Sequence, residues 1–201
     1  MHDGRHTELL IATKNAGKVR ELSELLGGLP LTLRDLSEFP EIETADETGA
    51  TFEENAAIKA RFYGHATGLL TLADDSGLEV DALGGAPGVH SARYAGESAT
   101  DEERVSLLLR EIGHAPNRAA RFVCVAAIYD PPRDSLNLFR AECPGRIAAA
   151  PRGSNGFGYD PVFIPSGFTQ TFGELADGVK QRISHRGLAV AAVRDFLEAG
   201  I

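Results

Sequence analysis

The chain has 201 residues, of which 43% are hydrophobic and 24% charged, and this composition is typical of an ordinary globular protein of about one domain. Its formal net charge of -9 argues against a broad nucleic-acid-binding surface, because such surfaces are usually basic. No apolar run reaches the roughly 18 residues of a membrane span, and the first ten residues lack the apolar core of a secretory signal. Cys124 and Cys143 show no metal-ligand spacing, and so few cysteines favour a reducing compartment. We therefore expect a soluble cytoplasmic protein.

The chain begins with a predicted strand, turn and helix. Residues 8–12 form a short apolar run that predicts a buried strand, and the polar segment TKNAGK (Thr13–Lys18) follows it. Apolar residues then recur at helical spacing until Gly27, where a glycine pair predicts the end of the helix. A second strand is expected near Leu31.

A longer helix and a buried strand are predicted next. Thr51-x-x-Glu54 has the capping-box pattern that opens a helix. The apolar run at residues 69–73 then predicts a buried strand that ends at Asp74 and Asp75.

The second half of the chain adds a capped helix and a hairpin. Thr100-x-x-Glu103 is a second capping box. Residues 121–130 and 136–143 read as strands joined by the turn PPRDS, which predicts an antiparallel hairpin. Alternating strands and helices followed by a hairpin predict an α/β fold with a mixed central β-sheet flanked by helices.

The segment DGVKQRISHRG leads into the last predicted helix, which spans residues 184–199. It places His185 and Arg186 at the helix start and Lys180 in a loop before it. Basic residues there oppose the helix dipole, and a binding role would explain that cost. The alternative is a solvated helix start. We expect the buried side of the helix to consist of Leu188, Ala192, Val193 and Phe196.

The turn TKNAGK is a candidate phosphate site. A helix N-terminus offers backbone N–H groups and the positive end of the helix dipole, both of which favour phosphate. The candidate residues are Thr13, Lys14, Asn15, Ala16, Gly17 and Lys18. The P-loop spacing GxxxxGK[ST] is absent, so the turn resembles a P-loop only in its physical logic. The alternative is a solvated turn that caps the helix.

Three acidic residues form a candidate metal site. Glu47 lies in a polar loop, and Asp74 and Asp75 lie where the buried strand is predicted to end. Ligands in open α/β sheets gather at the carboxyl ends of strands, and Mg²⁺ commonly takes one or two carboxylates together with substrate phosphates. The alternative is that Asp74 and Asp75 cap a turn and face water.

The glycine-rich segment GSNGFGYDPVFIP (residues 153–165) could form a nucleobase pocket. Its glycines permit close backbone approach. The rings of Phe157 and Tyr159 could stack on a base. The alternative is that both aromatic side chains belong to the core.

Taken together, these segments resemble one family. TKNAGK, TFEENAAIKA, LADDSGLEVDALGGAPGVHSARYAG, GSNGFGYDPVFIP and SHRG occur in the order found in the inosine/xanthosine triphosphate pyrophosphatases, and the resemblance runs from about Leu9 to Leu197. It implies a single domain over residues 1–201, with residues 1–7 as a short N-terminal extension. It also implies two lobes with an active-site cleft between them, a homodimer, and Mg²⁺-dependent hydrolysis of ITP, dITP or XTP to the monophosphate and pyrophosphate.

The resemblance also implies roles for individual residues. Thr13–Lys18 would hold the triphosphate, and Ser76 would contact the substrate. Glu47 and Asp75 would bind the metal, Asp74 would assist this acidic cluster, and Asp75 would accept a proton from the attacking water. The nucleoside pocket would consist of Phe157, Gly158, Tyr159, Asp160, Lys180, His185 and Arg186.

Two alternatives remain open. One is a Maf-like pyrophosphatase for modified pyrimidine nucleotides, which shares the general architecture but is disfavoured by the FGYD and SHRG segments. The other is a nucleotide-binding regulator without turnover, which is disfavoured by the set of acids beside a phosphate-binding turn.

Overall fold

The structure is a computed structural model that describes residues 7–200. Its strands are β1 (Thr7–Ile11), β2 (Leu31–Asp35), β3 (Leu70–Val80), β4 (Ala119–Asp130), β5 (Ser135–Ile147) and β6 (Phe163–Pro165). Its α-helices are α1 (Ala16–Leu25), α2 (Phe52–Thr67), α3 (Asp101–Ile112), α4 (Asp177–Ile183) and α5 (His185–Gly200). Residues 1–6 of the expected N-terminal extension lie outside the described residues, and Thr7 already belongs to β1.

The strands form one six-stranded sheet in the order β2-β1-β3-β4-β5-β6. β1 is parallel to β2 and to β3, whereas β5 is antiparallel to β6. β4 and β5 are neighbours joined only by residues 131–134, which is too short for a parallel crossover. The α/β class with a mixed sheet, predicted from the sequence, is confirmed. Among the helices of residues 7–200, none is both long and apolar enough to cross a membrane.

The chain divides into two compact units. The first contains the described residues up to Asp75, Val125–Arg140, and the chain from Ala189 onward. The second contains Ser76–Cys124 and Ala141–Leu188. Strands β3, β4 and β5 each contribute residues to both units.

In the first unit, helix α2 packs closely on β4. The Thr51 side chain accepts the Glu54 N–H at 3.1 Å, so the helix begins where the sequence predicted. The Glu54 carboxylate accepts the Ala50 N–H rather than that of Thr51, so half of the capping box is formed at this helix. A Cβ on Gly64 would lie 2.5 Å from the Tyr129 ring, so only glycine permits this approach of helix to strand.

The second unit has its own hydrophobic core. Thr100 and Glu103 form the complete predicted capping box at the start of α3. The buried core residues are Leu78, Val80, Val105, Leu108, Ile112, Ala120, Phe122, Cys143, Ile147, Tyr159, Val162, Phe163, Phe172 and Leu175.

The structure corrects the predicted end of β3. Asp74 and Asp75 lie inside an eleven-residue strand rather than at its end. The strand continues because Leu78 and Val80 pack into the second core after the first apolar run has ended. The expectation that these acids mark a strand terminus is therefore wrong.

Two further predictions near the C-terminus are also corrected. Lys180 lies on α4, which the sequence analysis did not predict, rather than in a loop. Leu188 and Phe196 are 43% and 40% exposed, and Ala192 is exposed as well. The buried side of α5 consists of Ala189, Val190, Val193 and Leu197. Val193 is buried as predicted, but the other three residues of the predicted face are not, because the buried side of the helix continues from the buried polar residues His185 and Arg186.

Candidate active site

The TKNAGK segment forms the predicted turn between β1 and α1. Asn15 caps the helix, because its side-chain oxygen accepts the Lys18 N–H at 3.0 Å. The Asn15 N–H in turn donates to Thr13 Oγ1 at 3.2 Å. Ala16 is exposed and Gly17 is half-buried, so the first turn of α1 is accessible to an anion.

Both lysines of this turn contact other parts of the first unit. Lys18 Nζ lies 2.9 Å from Asp74 Oδ2, and the Asp74 side chain is fully buried. Lys14 is exposed, and its Nζ donates to Thr44 Oγ1 at 2.7 Å, in the loop that leads to Glu47. The turn is thus joined to β3 on one side and to the Glu47 loop on the other.

Asp74 and Asp75 are reachable from the turn because β1 is shorter than β3. The parallel pairing of these strands ends with Ile11 opposite Leu72, and Ala12 donates its N–H to the Leu72 carbonyl at 2.8 Å. The chain leaves the sheet at Thr13, whereas β3 continues to the two aspartates. This difference in length brings Lys18 to Asp74.

Helix α2 supplies two polar side chains to Asp75. Lys59 Nζ lies 3.2 Å from Asp75 Oδ1 and 2.9 Å from Glu47 Oε2. Asn55 donates from Nδ2 to Asp75 Oδ2 at 3.2 Å and accepts the Gly49 N–H at 2.8 Å. Asn55 and Lys59 are four residues apart, which places them on one face of the helix.

The charges in this cluster shift one another's protonation equilibria. Burial raises the pKa of Asp75, and the nearby ammonium groups of Lys59 and Lys18 only partly oppose that shift. Burial alone would lower the pKa of Lys59, but the carboxylates of Asp75, Asp74 and Glu47 outweigh it and raise the pKa. Asp75 is therefore a more basic carboxylate than an exposed aspartate, and Lys59 stays charged.

Two of the three predicted acids, Glu47 and Asp75, fit a single divalent cation. Glu47 and Asp75 converge on one ammonium group, so their oxygens are already arranged around one positive charge. Asp74 faces Lys18 instead. Within residues 7–200, no group of three or more His, Cys, Asp or Glu side chains forms a metal-binding cluster. Two carboxylates completed by substrate phosphates would suit Mg²⁺.

Several of the predicted nucleobase residues lie close to Phe157 in the second unit. Lys180 Nζ lies 5.0 Å from the centre of this ring and Arg186 Cζ 5.6 Å from it. Lys180 also pairs with Asp160 Oδ2 at 2.6 Å, and that oxygen accepts the Phe157 N–H at 2.8 Å. Arg186 donates to Ser76 Oγ at 2.9 Å.

Tyr159 and His185 occupy different surroundings. The Tyr159 ring belongs to the hydrophobic core, and its hydroxyl donates to the Ser91 carbonyl at 2.9 Å. The His185 ring stacks on Phe122 at 4.6 Å between ring centres. Both side chains are buried, so the half-buried Phe157 is the aromatic side chain of this loop that is accessible to a base.

The loop conformation depends on Gly156. Its φ is +74°, and an added Cβ would lie 2.0 Å from Asp160 Oδ2 and 3.1 Å from Lys180 Nζ. We expect Gly156→Ala to lower the free energy of unfolding by about 2 kcal/mol or more, because it adds a clash at the buried ion pair to left-handed strain. Urea unfolding would measure the change.

Gly167→Ala is the matched control for Gly156→Ala. Gly167 has a φ of +85° and nothing within 4 Å of an added Cβ, so the control carries the strain without the clash. Equal losses of stability in the two variants would contradict the close packing at Gly156.

Comparison with known proteins decides the family. The Ham1 family pattern matches residues 9–196. The chain belongs to the Ham1 family. It is 49% identical over 192 residues to the dITP/XTP pyrophosphatase of Syntrophobacter fumaroxidans, covering 95% of this chain and 82% of that protein. It is 48% identical over 193 residues to the dITP/XTP pyrophosphatase of Geobacter sulfurreducens, covering 95% and 96%.

Solved structures of similar proteins have the same fold. A HAM1 protein from Coxiella burnetii matches with a TM-score of 0.88 and 42% identity, over 96% of this chain and 99% of that one. A nucleoside-triphosphatase, dITP/XTP pyrophosphatase, from Mycobacterium abscessus matches with a TM-score of 0.75 and 43% identity, over 95% and 100%. The family resemblance predicted from the sequence is confirmed.

Two residues that contact Asp75, Asn55 and Lys59, were not among the site residues predicted from the sequence. Asn55 and Lys59 are only 1% and 8% exposed, although both side chains are polar. They lie within TFEENAAIKA, one of the segments that carry the family resemblance. Their spacing of four residues among the small apolar residues of this helix was the available signal, since polar groups on a buried helix face require partners.

Proposed function

We propose that this Ham1-family chain hydrolyses the deaminated purine nucleotides ITP, dITP and XTP to the monophosphate and pyrophosphate. The observation that carries the proposal is the contact of buried Asp75 with Lys59 and Asn55, with Glu47 bound to the same lysine. It places a basic carboxylate and an acid–lysine cluster in a chain whose relatives are named dITP/XTP pyrophosphatases. Removal of these nucleotides from the cellular pool would follow from the activity.

The triphosphate would bind at the N-terminus of α1. Backbone N–H groups of Ala16 and Gly17 would donate hydrogen bonds to the phosphate oxygens, and the positive end of the helix dipole would attract their negative charge. Lys18 would add charge stabilisation as negative charge develops on the leaving pyrophosphate. Lys14, an exposed residue of the same turn, would add a second ammonium group.

Glu47 and Asp75 would hold Mg²⁺, and Asp74 would keep Lys18 close to this acidic cluster. When bound, the ion supplies neutralisation of phosphate charge. Asp75 would orient a water molecule toward the α-phosphorus and accept its proton at a carboxylate oxygen. The raised pKa of Asp75 suits this role, because a general base works best when its pKa approaches the working pH.

Phe157, Lys180 and Arg186 of the second unit would bind the nucleobase. The Phe157 ring would stack on the base, and Lys180 and Arg186 would donate hydrogen bonds to the 6-oxygen of hypoxanthine or xanthine. Adenine presents an amino donor at that position, so these donors would lose their acceptor and ATP would be rejected. Ser76 holds Arg186, and buried His185 and Tyr159 support the surrounding elements.

We expect Arg186→Ala to lower the preference for ITP over ATP in kcat/KM by about tenfold, because one donor to the 6-oxygen is lost. Steady-state kinetics with both nucleotides would measure the preference. Arg182→Ala is the control, since Arg182 is an exposed arginine on the neighbouring α4. An unchanged preference in Arg186→Ala would place base selection elsewhere.

Pyrophosphate release from ITP, XTP, dITP, GTP, ATP and UTP, with Mg²⁺ and with EDTA, tests the proposed function directly. We expect Mg²⁺-dependent release from ITP, dITP and XTP, with GTP and ATP nearly untouched. Preference for UTP would favour the Maf-like alternative. Binding of ITP without release from any nucleotide would make the protein a nucleotide-binding regulator.

We further propose that the protein is a cytoplasmic homodimer, as the family resemblance implies. Burial of both cysteines is compatible with a reducing compartment. Analytical ultracentrifugation at micromolar concentration would test the assembly. A mass equal to one chain would contradict it.

A further inference from the structure

Asp101 has a role that helix capping does not explain. It is the first residue of α3, directly after the cap residue Thr100. Both bonds of the capping box are made by Thr100 and Glu103. The Asp101 carboxylate is therefore available for another contact.

Its two oxygens are both engaged outside the cap. Asp101 Oδ2 accepts the backbone N–H of Gly158 at 2.6 Å. Asp101 Oδ1 pairs with Arg104, one turn further along α3. Arg104 also donates to the carbonyl oxygens of Ala92, at 3.0 Å, and Ala99. Two backbone carbonyls thus hold Arg104, and Arg104 in turn orients the Asp101 carboxylate that accepts the Gly158 N–H.

The Gly158 contact fixes the backbone beside Phe157. Gly158 adopts a left-handed φ of +63°. The preceding N–H, that of Phe157, donates to Asp160 Oδ2 at 2.8 Å. Two consecutive backbone N–H groups are therefore accepted by two carboxylates from different elements. Charge-assisted bonds of this kind are about twice as strong as neutral ones.

We propose that Asp101 is a positioning residue for nucleobase binding, which holds the Phe157–Gly158 backbone so that the Phe157 ring stays beside Lys180 and Arg186. The inference rests on the proposed function for the identity of the ligand. The simpler explanation is a favourable negative charge at the helix N-terminus, and exposed Glu102 supplies the same charge one residue later. Glu102 is therefore the matched control.

Asp101→Ala, Asp101→Asn and Glu102→Ala would be compared in the full chain. The readouts are KM and kcat for ITP, and competitive inhibition by two probes. Inosine monophosphate carries the base, whereas inorganic tripolyphosphate carries none. Thermal unfolding of each variant would show whether it folds.

We expect Asp101→Ala to raise KM for ITP and to weaken inhibition by inosine monophosphate, each about tenfold, because a charge-assisted hydrogen bond is lost. Tripolyphosphate inhibition and kcat should stay within about twofold of the wild type. Asp101→Asn keeps a neutral acceptor, so its effect on both base-dependent readouts should be on the order of threefold. Glu102→Ala should match the wild type.

Two results would overturn the inference. One is that inhibition by inosine monophosphate and inhibition by tripolyphosphate weaken equally. The other is that inhibition by inosine monophosphate is unchanged in both Asp101→Asn and Asp101→Ala. If Asp101→Ala does not fold, Asp101→Asn alone decides, by comparison of its inhibition by inosine monophosphate with its inhibition by tripolyphosphate. Failure of the proposed function gives a different result, namely no pyrophosphate release by the wild type. In that case, calorimetric binding of inosine monophosphate to the wild type and to Asp101→Asn still tests the positioning role.

Discussion

Asp75→Asn is expected to lower kcat for ITP about a thousandfold, because the variant loses the group that accepts the proton of the attacking water. Asparagine has the shape of aspartate and keeps an oxygen for the Asn55 amide. Burial disfavours the ionised Asp75 carboxylate, and Lys59 keeps Glu47 as a partner in this variant, so loss of the Asp75 charge should not unfold the protein. Pyrophosphate release under saturating ITP and Mg²⁺ measures the effect.

Asp195→Asn is the control for Asp75→Asn. Asp195 is an exposed aspartate on α5, so this variant makes the same change of net charge away from the cluster. Its kcat should equal that of the wild type. Near-normal turnover by Asp75→Asn, with its circular dichroism spectrum unchanged, would remove Asp75 from the chemical step.

Local signals were sufficient to predict much of the fold. The strand–turn–helix around TKNAGK and the helix starts at Thr51 and Thr100 depend on residues within one or two turns of each other. Hydrophobic periodicity and capping are both short-range properties, so one sequence can reveal them. Some candidate residues within one unit also lie beside each other, as Lys18 and Asp74 do.

The missed features depend on packing between distant segments. The partners of Asp75 come from α2, sixteen and twenty residues earlier in the chain. The apolar pattern of β3 is interrupted at Asp74, although the strand continues, because Lys18 and Lys59 compensate the buried carboxylates. No periodicity within β3 reports those distant lysines. Local sequence rules fail at this point because the chain buries charge, which is common at functional sites.

The two residue groups share one physical device. In the first, buried Lys59 pairs with Asp75, and in the second, buried Lys180 pairs with Asp160. A buried ion pair adds little net stability, because desolvation offsets its attraction, but loss of one partner is costly. Each pair therefore fixes a geometry that a looser arrangement of neutral groups would not hold. The sharpest test of this idea is to remove one lysine and keep its volume.

We expect Lys59→Met to lower the free energy of unfolding by roughly 3 kcal/mol near neutral pH, because Asp75 and Asp74 would stay buried with less compensating charge. The thioether chain keeps the aliphatic packing of lysine. Lys14→Met is the control, since Lys14 is exposed.

The pH dependence of Lys59→Met separates charge from packing. The pKa of Asp75 already lies above its ordinary value of 3.8, and removal of Lys59, its largest opposing charge, would raise it further. A carboxyl group with a raised folded-state pKa destabilises the protein above that pKa and ceases to do so as the pH falls through it. Urea unfolding at about pH 7.5 and about pH 5 should therefore show a deficit in unfolding free energy, relative to the wild type, that shrinks at the lower pH.

Mg²⁺ should also shrink this deficit in unfolding free energy, since a cation held by Glu47 and Asp75 would replace the lost ammonium charge. A deficit that is equal at both pH values and unaffected by Mg²⁺ would show that Lys59 contributes packing rather than charge, and the proposed cation site would lose its main structural support.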